Sequence, residues 1–273
     1  MKRIFFHSYK GGVGRSYVLA NVAYELVNKG KRIGLVDLDY DAPGLVHLLS
    51  SQQRQVQVRD IDILHILVNQ NIAELNSAII SIEPKKMFLL TVNPSQAGAA
   101  MEKLYKFIID TNDTFNSLLE QILRSYADLK TLDYILIDLR PGFSFLISTI
   151  VKFSDMTLQL FRTTRQDIYG TKILARAISP MGLDKHILIP TLIPMKYSNY
   201  EASLQSLIKG QFTKEGLLVD NKYFIPLIER LFMDDRLIKD FQQNDAAGKE
   251  FTQFNKTIRH ITNEILGEEN RNV

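Results

Sequence analysis

Short runs of consecutive apolar residues alternate with longer amphipathic segments along most of this chain. The apolar runs cover residues 3–7, 32–37, 87–92, 133–138, 156–161, 186–193 and 222–225. Strands that are covered on both faces have apolar side chains at successive positions, because neither face meets water. Segments with helical spacing of apolar residues lie at 16–29, 61–69, 97–109, 113–129, 143–153, 166–178, 201–209 and 246–266. The alternation predicts an α/β fold with a mostly parallel, twisted sheet of about seven to eight strands and helices on both faces.

The length and composition fit one large globular domain. The chain has 273 residues, of which 45% are hydrophobic and 23% charged, as in ordinary soluble domains. It has no long linker, internal repeat or low-complexity tract. We therefore expect one domain over residues 1–266, and a polar tail over 267–273 that we expect to be disordered.

Several classes of site and location are disfavoured by composition. The absence of cysteine excludes disulfides and thiolate metal sites. The five histidines are scattered without an H-x-x-x-H pair, so a histidine metal site is not expected. The first apolar run ends at His7, too early for a signal peptide, and no segment reaches the ~20 apolar residues of a membrane span. We expect a cytoplasmic protein.

A glycine-rich segment, HSYKGGVGRS at residues 7–16, joins the first apolar run to the first helical segment. At such a junction, backbone N–H groups and the helix N-terminus can surround a phosphate chain. Gly11, Gly12 and Gly14 allow a tight turn and close approach to an anion, and Ser16 is placed to ligate Mg²⁺ through its hydroxyl. The alternative is a glycine-rich turn that binds no ligand. This alternative is less favoured, because three glycines, two cations and a serine occur together at one junction.

The loop departs from the usual phosphate-loop pattern, G-x-x-x-x-G-K-[ST], at two positions. Tyr9 replaces the first glycine and Arg15 replaces the lysine, while a lysine occurs five positions early, at Lys10. KGGVGRS resembles the deviant Walker A loop, K-G-G-x-G-K-[ST], of the ParA/MinD group of ATPases. Arginine keeps the positive charge of the missing lysine, but its planar guanidinium has a different shape from an ammonium. The sequence therefore does not predict the rate of ATP hydrolysis.

The resemblance implies ATP and Mg²⁺ as cofactors and an ATP-dependent homodimer. It assigns Lys10 a catalytic role in which the ammonium crosses the dimer interface to phosphate bound on the other subunit. Such a cation would act as an arginine finger does, on charge developing at the transferred phosphoryl group. Nucleotide contacts are implied for the rest of the loop, namely Gly11, Gly12, Val13, Gly14, Arg15, Ser16 and Tyr17.

Two aspartate motifs extend the resemblance. LVDLDYDAPGL at 35–45 resembles switch I, which implies that Asp37 lies near the metal and that catalytic Asp39 positions the attacking water or a water on Mg²⁺. DYILIDLRPG at 133–142 resembles the Walker B strand and switch II, in which Asp138 would hold Mg²⁺ through water. The alternative is that Asp37 and Asp39 are strand-end and turn residues only, an interpretation that is less favoured for Asp39 than for Asp37. Arg140 stands where the family usually has proline, either as a cation near the γ-phosphate or as an exposed arginine.

A looser match concerns the nucleotide base. KYFIPLIERL at 222–231 resembles the segment whose backbone touches adenine in this family, which implies base contacts from Pro226 and Ile228. A strand end packing on the core explains these two residues equally well.

The implied function is a slow, partner-stimulated ATPase that switches between monomer and dimer and positions or partitions a cargo, together with a stimulating or cargo-adaptor protein. Non-specific DNA binding is left open by cations in the last third, which are interleaved with carboxylates. The C-terminal residues lack the basic and aromatic pattern of a membrane-surface helix, so membrane binding is not expected. The alternative, motivated by Arg15 and Arg140, is a weakly hydrolysing or non-hydrolysing nucleotide-gated scaffold or sensor in bacterial signalling or defence. A kinase on the same scaffold is less favoured, because no acceptor motif is visible.

Overall fold

The computed structural model describes residues 1–40, 42–50, 55–95, 97–110, 112–143, 145–179, 185–213, 217, 219, 223–232, 237 and 248–267. The strands in this part of the chain are β1 (Lys2–Ser8), β2 (Ile33–Leu38), β3 (Ile80–Glu83), β4 (Met87–Leu90), β5 (Tyr134–Leu139), β6 (Met156–Arg162) and β7 (His186–Thr191). The α-helices are α1 (Arg15–Asn28), α2 (Leu45–Leu49), α3 (Ile63–Asn69), α4 (Leu75–Ala78), α5 (Ala97–Asp110), α6 (Asn112–Lys130), α7 (Phe145–Lys152), α8 (Arg165–Ile178), α9 (Tyr200–Gln211) and α10 (Lys249–Leu266). Short 3₁₀ turns occur at Ile72–Glu74 and Glu229–Phe232.

The strands form a seven-stranded sheet in the order β3-β4-β2-β5-β1-β6-β7. β2 pairs in parallel with β4 and β5, and β6 pairs in parallel with β1 and β7. β3 is antiparallel to β4. Parallel neighbours need long crossover connections, which helices supply. The predicted α/β fold with a mostly parallel sheet flanked by helices is therefore confirmed.

The described residues fall into two compact units, one made of 1–3 and 26–140 and the other of 4–25 and 141–273. In the first, every residue of β2 and β5 is buried, as expected for strands covered on both faces. Helix α6 packs closely on β2, where a Cβ at Gly34 would lie 2.9 Å from Cε1 of Tyr126. The Tyr126 hydroxyl donates to the backbone oxygen of Leu35 at 3.4 Å.

The second unit is held by apolar contacts around β6, β7, α8 and α9. One buried cluster consists of Phe161, Ile168, Ala175, Leu188 and Phe212, and a second consists of Ile193, Leu204, Ile208 and Phe224. Thr164 caps α8, because its hydroxyl oxygen accepts a hydrogen bond from the Asp167 N–H at 3.2 Å.

The structure corrects one predicted strand. Within 222–225, the described residues 223–225 are not part of a β-strand. Instead, Ile225 N–H donates to Pro190 at 2.9 Å and Ile193 N–H donates to Ile225 at 3.1 Å, beside an isolated bridge between Ile193 and Pro226. The Leu227 N–H also donates to the Ile193 carbonyl at 2.9 Å, so the segment is held by a parallel bridge and does not extend into a ladder. Residue 222 and residues 268–273 of the expected tail lie outside the described residues.

Three short elements were not predicted, namely β3, α2 and α4. Each has four or five residues, too few to show a period in the sequence. No helix in the part of the chain that the structure describes combines the length and apolar character needed to cross a bilayer.

Candidate nucleotide site

The glycine-rich loop lies between β1 and α1, as the sequence predicted. Gly12 and Gly14 have φ angles of +68° and +80°, a conformation that side chains with a Cβ rarely adopt. The Val18 N–H donates to the Gly14 carbonyl at 2.9 Å, so the helical ladder begins at the last glycine of the loop. The first N–H groups of a helix have no partner within it and are available to an anion.

A second loop, residues 141–143, packs on the glycine loop within the same unit. The Gly142 N–H donates to the Ser8 carbonyl at 3.0 Å. A Cβ on Gly11 would lie 3.6 Å from Cγ of Pro141, which is ordinary contact. Phe143, the next residue, is 64% exposed although it is apolar.

Ser8 links the two cations of the loop. Its hydroxyl donates to the Lys10 carbonyl at 2.8 Å and accepts a hydrogen bond from Nη1 of Arg15 at 3.3 Å. Arg15 is only 6% exposed, so its guanidinium is held back against the end of β1. Lys10 is half-buried, and among the described residues its ammonium has no hydrogen bond or ion pair. Arg15 is therefore anchored at the end of β1, whereas no described residue holds the Lys10 ammonium.

His7 was not among the predicted site residues, although it directly precedes the loop. It is fully buried, and neither ring nitrogen has a hydrogen-bond partner in the described part of the chain. Burial, the Arg15 charge and His186 hold the pKa of His7 well below its usual range. The ring is consequently neutral and adds no second positive charge beside Arg15.

A small cavity of about 310 Å³ lies where the base contacts were predicted. Its lining comprises Pro194, Met195, Lys196, Leu227, Ile228, Glu229, Arg230, Gly248, Glu250 and Phe251. Small-molecule sites begin at roughly this size. Ile228 lines the cavity, whereas Pro226 pairs with Ile193 beside it.

Helix α10 connects this cavity to the glycine loop. Phe251 lines the cavity, and Phe254, one turn later, meets the ring of Tyr17 edge to face with centroids 5.6 Å apart. Tyr17 is in the first turn of α1. The predicted phosphate and base regions are thus joined by direct contacts within one unit.

The predicted metal carboxylates lie in the other unit, at adjacent strand ends. Asp37 of β2 is paired in register with Asp138 of β5, and both are fully buried. The Asp37 carboxylate accepts hydrogen bonds from the N–H groups of Asp39 at 3.0 Å and Leu45 at 3.1 Å. These bonds fold the chain after β2 back to the start of α2. Asp37 thus shapes this turn and lies beside Asp138.

The electrostatics of this pair suit a divalent cation. Burial, followed by the charge of Asp138, raises the pKa of Asp37 well above its usual range. A cation between the carboxylates would remove that repulsion. No group of three or more histidine, cysteine, aspartate or glutamate side chains suited to a metal exists among the described residues. Mg²⁺ is typically held by one or two carboxylates with waters and substrate phosphates, so the donor set fits. Asp39 is 7% exposed, and its carboxylate accepts from the Ala42 N–H at 3.4 Å.

Arg140 is held by two tyrosines. Its Nη1 donates to the hydroxyls of Tyr40 at 3.0 Å and Tyr105 at 3.4 Å, and its guanidinium lies 5.2 Å from the Tyr40 ring centroid. Burial and the hydrogen bond with Tyr105 raise the pKa of Tyr40 to about 12. Arg140 is therefore an ordered side chain of the carboxylate unit, not a freely solvated arginine.

A glycine loop between a strand and a helix, in a mostly parallel sheet flanked by helices, characterises the P-loop NTPases. The family model described as "ParA: NUBPL iron-transfer P-loop NTPase" matches residues 1–266, and the chain belongs to this ParA family.

One similar protein and two solved structures cover most of this chain. The septum site-determining protein MinD of Helicobacter pylori is 27% identical over 269 residues, covering 95% of this chain and 88% of that protein. The MinC:MinD cell division protein complex of Aquifex aeolicus contains a chain with a TM-score of 0.69 and 19% identity, covering 100% of this chain and 98% of its own. A cobyrinic acid a,c-diamide synthase of Mycobacterium smegmatis with bound ADP and magnesium has a TM-score of 0.71 and 17% identity, with 98% and 97% covered. These two structures support the fold.

The chain spans less than half the length of the first curated relatives that it matches, at 39%, 42% and 46% of each. Two of these are iron–sulfur cluster proteins and the third is a flagellum site-determining protein. Their functions therefore enter only as hypotheses for this chain.

Proposed function

We propose that this chain is a Mg²⁺-dependent ATPase of ParA/MinD type. Binding of ATP would drive formation of a homodimer with nucleotide sandwiched between the subunits. The dimer would position or partition a cargo with the help of a stimulating or adaptor protein. The observation that carries this proposal is the glycine loop, in which left-handed Gly12 and Gly14 lead into α1 beside an unpaired Lys10 ammonium within the described residues.

The residue roles follow from the chemistry of each group. Loop amides and the N-terminus of α1 would hold the phosphates. Ser16, Asp138 and Asp37 are proposed to hold or surround Mg²⁺, which would neutralise charge on the phosphates. Asp39 is proposed to orient the attacking water. Ile228 and Pro226 are proposed to contact the base at the cavity.

Lys10 is proposed to act on the nucleotide of the other subunit. Its ammonium has no partner in the described part of its own chain, whereas Arg15 is anchored on Ser8. The exposed Phe143, which follows the contact between Gly142 and Ser8, supports a protein interface beside the loop. An interface there would cover an apolar ring that otherwise faces water.

Non-specific DNA binding is the proposed surface interaction. Helix α10 carries Lys249, Lys256 and Arg259, all exposed and spaced to lie on one face. Such a row would contact phosphates without reading sequence, and its affinity would fall steeply with salt. Four other cations of the last third, Lys214, Lys222, Arg236 and Lys239, lie outside the described residues.

Iron transfer, which the family description names, is not proposed for this chain. Iron–sulfur clusters are held by cysteine thiolates, and the sequence contains none.

A second candidate is a nucleotide-gated scaffold or sensor that hydrolyses ATP weakly or not at all. The contact between Arg15 and Ser8 favours it, because a guanidinium held at the end of β1 is restrained from following the γ-phosphate. Steady-state ATP turnover with Mg²⁺, with and without duplex DNA, separates the two candidates. Turnover together with a size change from monomer to dimer on adding ATP supports the ATPase. Binding without turnover supports the scaffold, and no binding of ATP contradicts both.

A further inference from the structure

A groove lies between α8 and α9, and its described lining includes none of the residues assigned above to the nucleotide or the metal. Its volume is about 1150 Å³, larger than the roughly 300–1,000 Å³ of typical small-molecule sites. α8 contributes Arg165, Ile168, Tyr169 and Lys172, which are spaced as i, i+3, i+4 and i+7. These spacings place them along one side of the helix. The groove, which we call the α8–α9 groove, is therefore long and bounded by two helices.

The floor of the α8–α9 groove is apolar and continuous with the core. Ile168 belongs to a buried cluster, and Leu207 of α9 packs against it. Tyr169 stands at the edge with 66% of its surface exposed. Tyrosine is one of the residue types enriched among binding hot spots in protein interfaces. A floor fixed by core packing gives a partner a rigid surface to bind.

The charges of the groove have one sign. Arg165 and Lys172 line it, and none of its described lining residues is a carboxylate. The neighbouring Asp167 is 1% exposed and is engaged by Arg162 and Thr164. It therefore does not line the groove. A partner with acidic groups complements the lining cations, whereas a basic partner would be repelled.

Small residues on the α9 side of the groove allow the backbone of a partner to approach closely. Ser206 and Gly210 are one turn apart on this wall, and both are exposed. A Cβ added at Gly210 would meet nothing within 4 Å. An elongated groove between two helices with an apolar floor is the shape into which a third helix packs.

We propose that the α8–α9 groove binds an acidic amphipathic helix of a partner protein. Its carboxylates face Arg165 and Lys172, and its apolar side covers Tyr169 and Leu207. This deepens the proposed function, on which it rests, by locating the surface for the stimulating or adaptor protein. Duplex DNA fits less well, because its backbone has no apolar face to cover the floor.

The test uses the full chain and a synthetic helical peptide of Glu, Ala and Leu, about 18 residues long, which is long enough to form a helix. A matched peptide replaces every Glu with Lys, and a short DNA duplex serves as a second probe. Affinities are measured by fluorescence anisotropy with and without Mg²⁺ and ATP. We expect the Glu peptide to bind and the Lys peptide to bind at least about tenfold more weakly.

Three groove variants and one control variant test whether the peptide binds in the groove. Gly210→Leu fills the groove and should weaken the Glu peptide at least about tenfold, as should Lys172→Glu. Gln205→Leu adds the same side chain on α9 outside the groove and should leave binding unchanged. Ser206→Leu repeats the filling test in case Gly210→Leu fails to fold.

The proposal is overturned if the Glu peptide does not bind, if both filling variants bind it as tightly as the parent chain, or if only DNA binds. ATP affinity is measured in every variant, which separates this proposal from the proposed function. A chain that binds the peptide in the groove but never binds ATP contradicts the ATPase and supports the groove. A chain that binds and hydrolyses ATP but does not bind the peptide contradicts the groove proposal and leaves the proposed ATPase function standing.

Discussion

The ring of Tyr9 packs directly on the backbone of Gly170, so closely that a Cβ at position 170 would lie 2.0 Å from Cδ1 of Tyr9 and 2.3 Å from its Cγ. Tyr9 occupies the position at which the usual phosphate loop has its first glycine, and Gly170 lies in α8. The departure from the usual pattern thus has a structural use, since the side chain that replaces glycine fixes the loop to a neighbouring helix.

Gly170→Ala should therefore weaken ATP binding. The methyl group forces the Tyr9 ring away, and because the ring is attached at the start of the loop, the loop amides shift with it. Overpacking of this kind typically costs about 1–3 kcal/mol, so we expect roughly a tenfold loss of affinity, measured by calorimetric titration. The control is Tyr9→Ala combined with Gly170→Ala, in which the ring is gone and the affinity should match Tyr9→Ala alone. Wild-type affinity in Gly170→Ala would show that the contact does not hold the loop.

Lys10→Ala should retain ATP binding but lose turnover by about 10²-fold or more, as is typical when a phosphate-stabilising cation is removed. Lys31→Ala, a partly exposed lysine just after α1, is the matched control and should keep full activity. Unchanged turnover in Lys10→Ala would contradict a catalytic role.

Mixing variants distinguishes a charge acting across the dimer from one acting within a subunit. Asp39→Ala supplies Lys10 but lacks the carboxylate that we propose positions water in its own site. If Lys10 acts in trans, an equal mixture of Lys10→Ala and Asp39→Ala should recover part of the activity that each lacks. Absence of recovery in dimers shown to exchange subunits would place the lysine in its own site.

Asp138→Asn should raise the melting temperature of the chain without Mg²⁺ but reduce the additional stabilisation that Mg²⁺ and ATP provide. Asp37 has a raised pKa, so its protonated form favours folding at low pH, and that stability is lost as pH rises through the folded pKa. Near pH 7, Asp138→Asn removes the repelling charge and should raise the melting temperature without Mg²⁺. The extra stabilisation by Mg²⁺ and ATP should shrink, because a proposed metal ligand is lost. Asp128→Asn on the exposed side of α6 should change neither quantity.

Much of the fold could be predicted from the sequence, because long segments repeat their period several times. Helix α1 was predicted at 16–29 and begins one residue earlier, and β5 was predicted at 133–138 and ends at Leu139. The prediction of a strand at 222–225 was wrong. Backbone hydrogen bonds join Ile225 to Pro190 and Ile193 beside an isolated bridge, and apolar residues buried by such a bridge have the same sequence pattern as a strand.

The loop motif placed Gly12 and Gly14 between β1 and α1 and Ser16 in the first turn of α1, because positive φ angles and a helix start leave clear sequence signals. Contacts between residues that are distant in the sequence left no such sequence signal. The bond from Arg15 to Ser8 and the packing of Tyr9 on Gly170 arise from the tertiary arrangement. The roles of the individual site residues remain predictions.

His186 makes stability depend on pH in a defined window. Burial lowers its pKa to about 4, whereas an unfolded chain binds the proton near pH 6.5. The unfolded state therefore binds more protons between these values, so the free energy of unfolding falls as pH drops from about 6.5 to about 4, by at most about 1.4 kcal/mol per pH unit from this group. The lowered pKa of His7 acts in the same direction.

His186→Gln tests this dependence, because an amide can keep the hydrogen bond that Nε2 makes to Gln159 at 3.0 Å but cannot take up a proton. Urea unfolding at several pH values should show a shallower loss of stability below pH 6.5 than in the parent chain. His47→Gln removes an exposed histidine and should leave the slope unchanged. If His186→Gln and the parent chain lose stability in parallel, the acid sensitivity arises from other groups, with buried His7 as the next residue to replace.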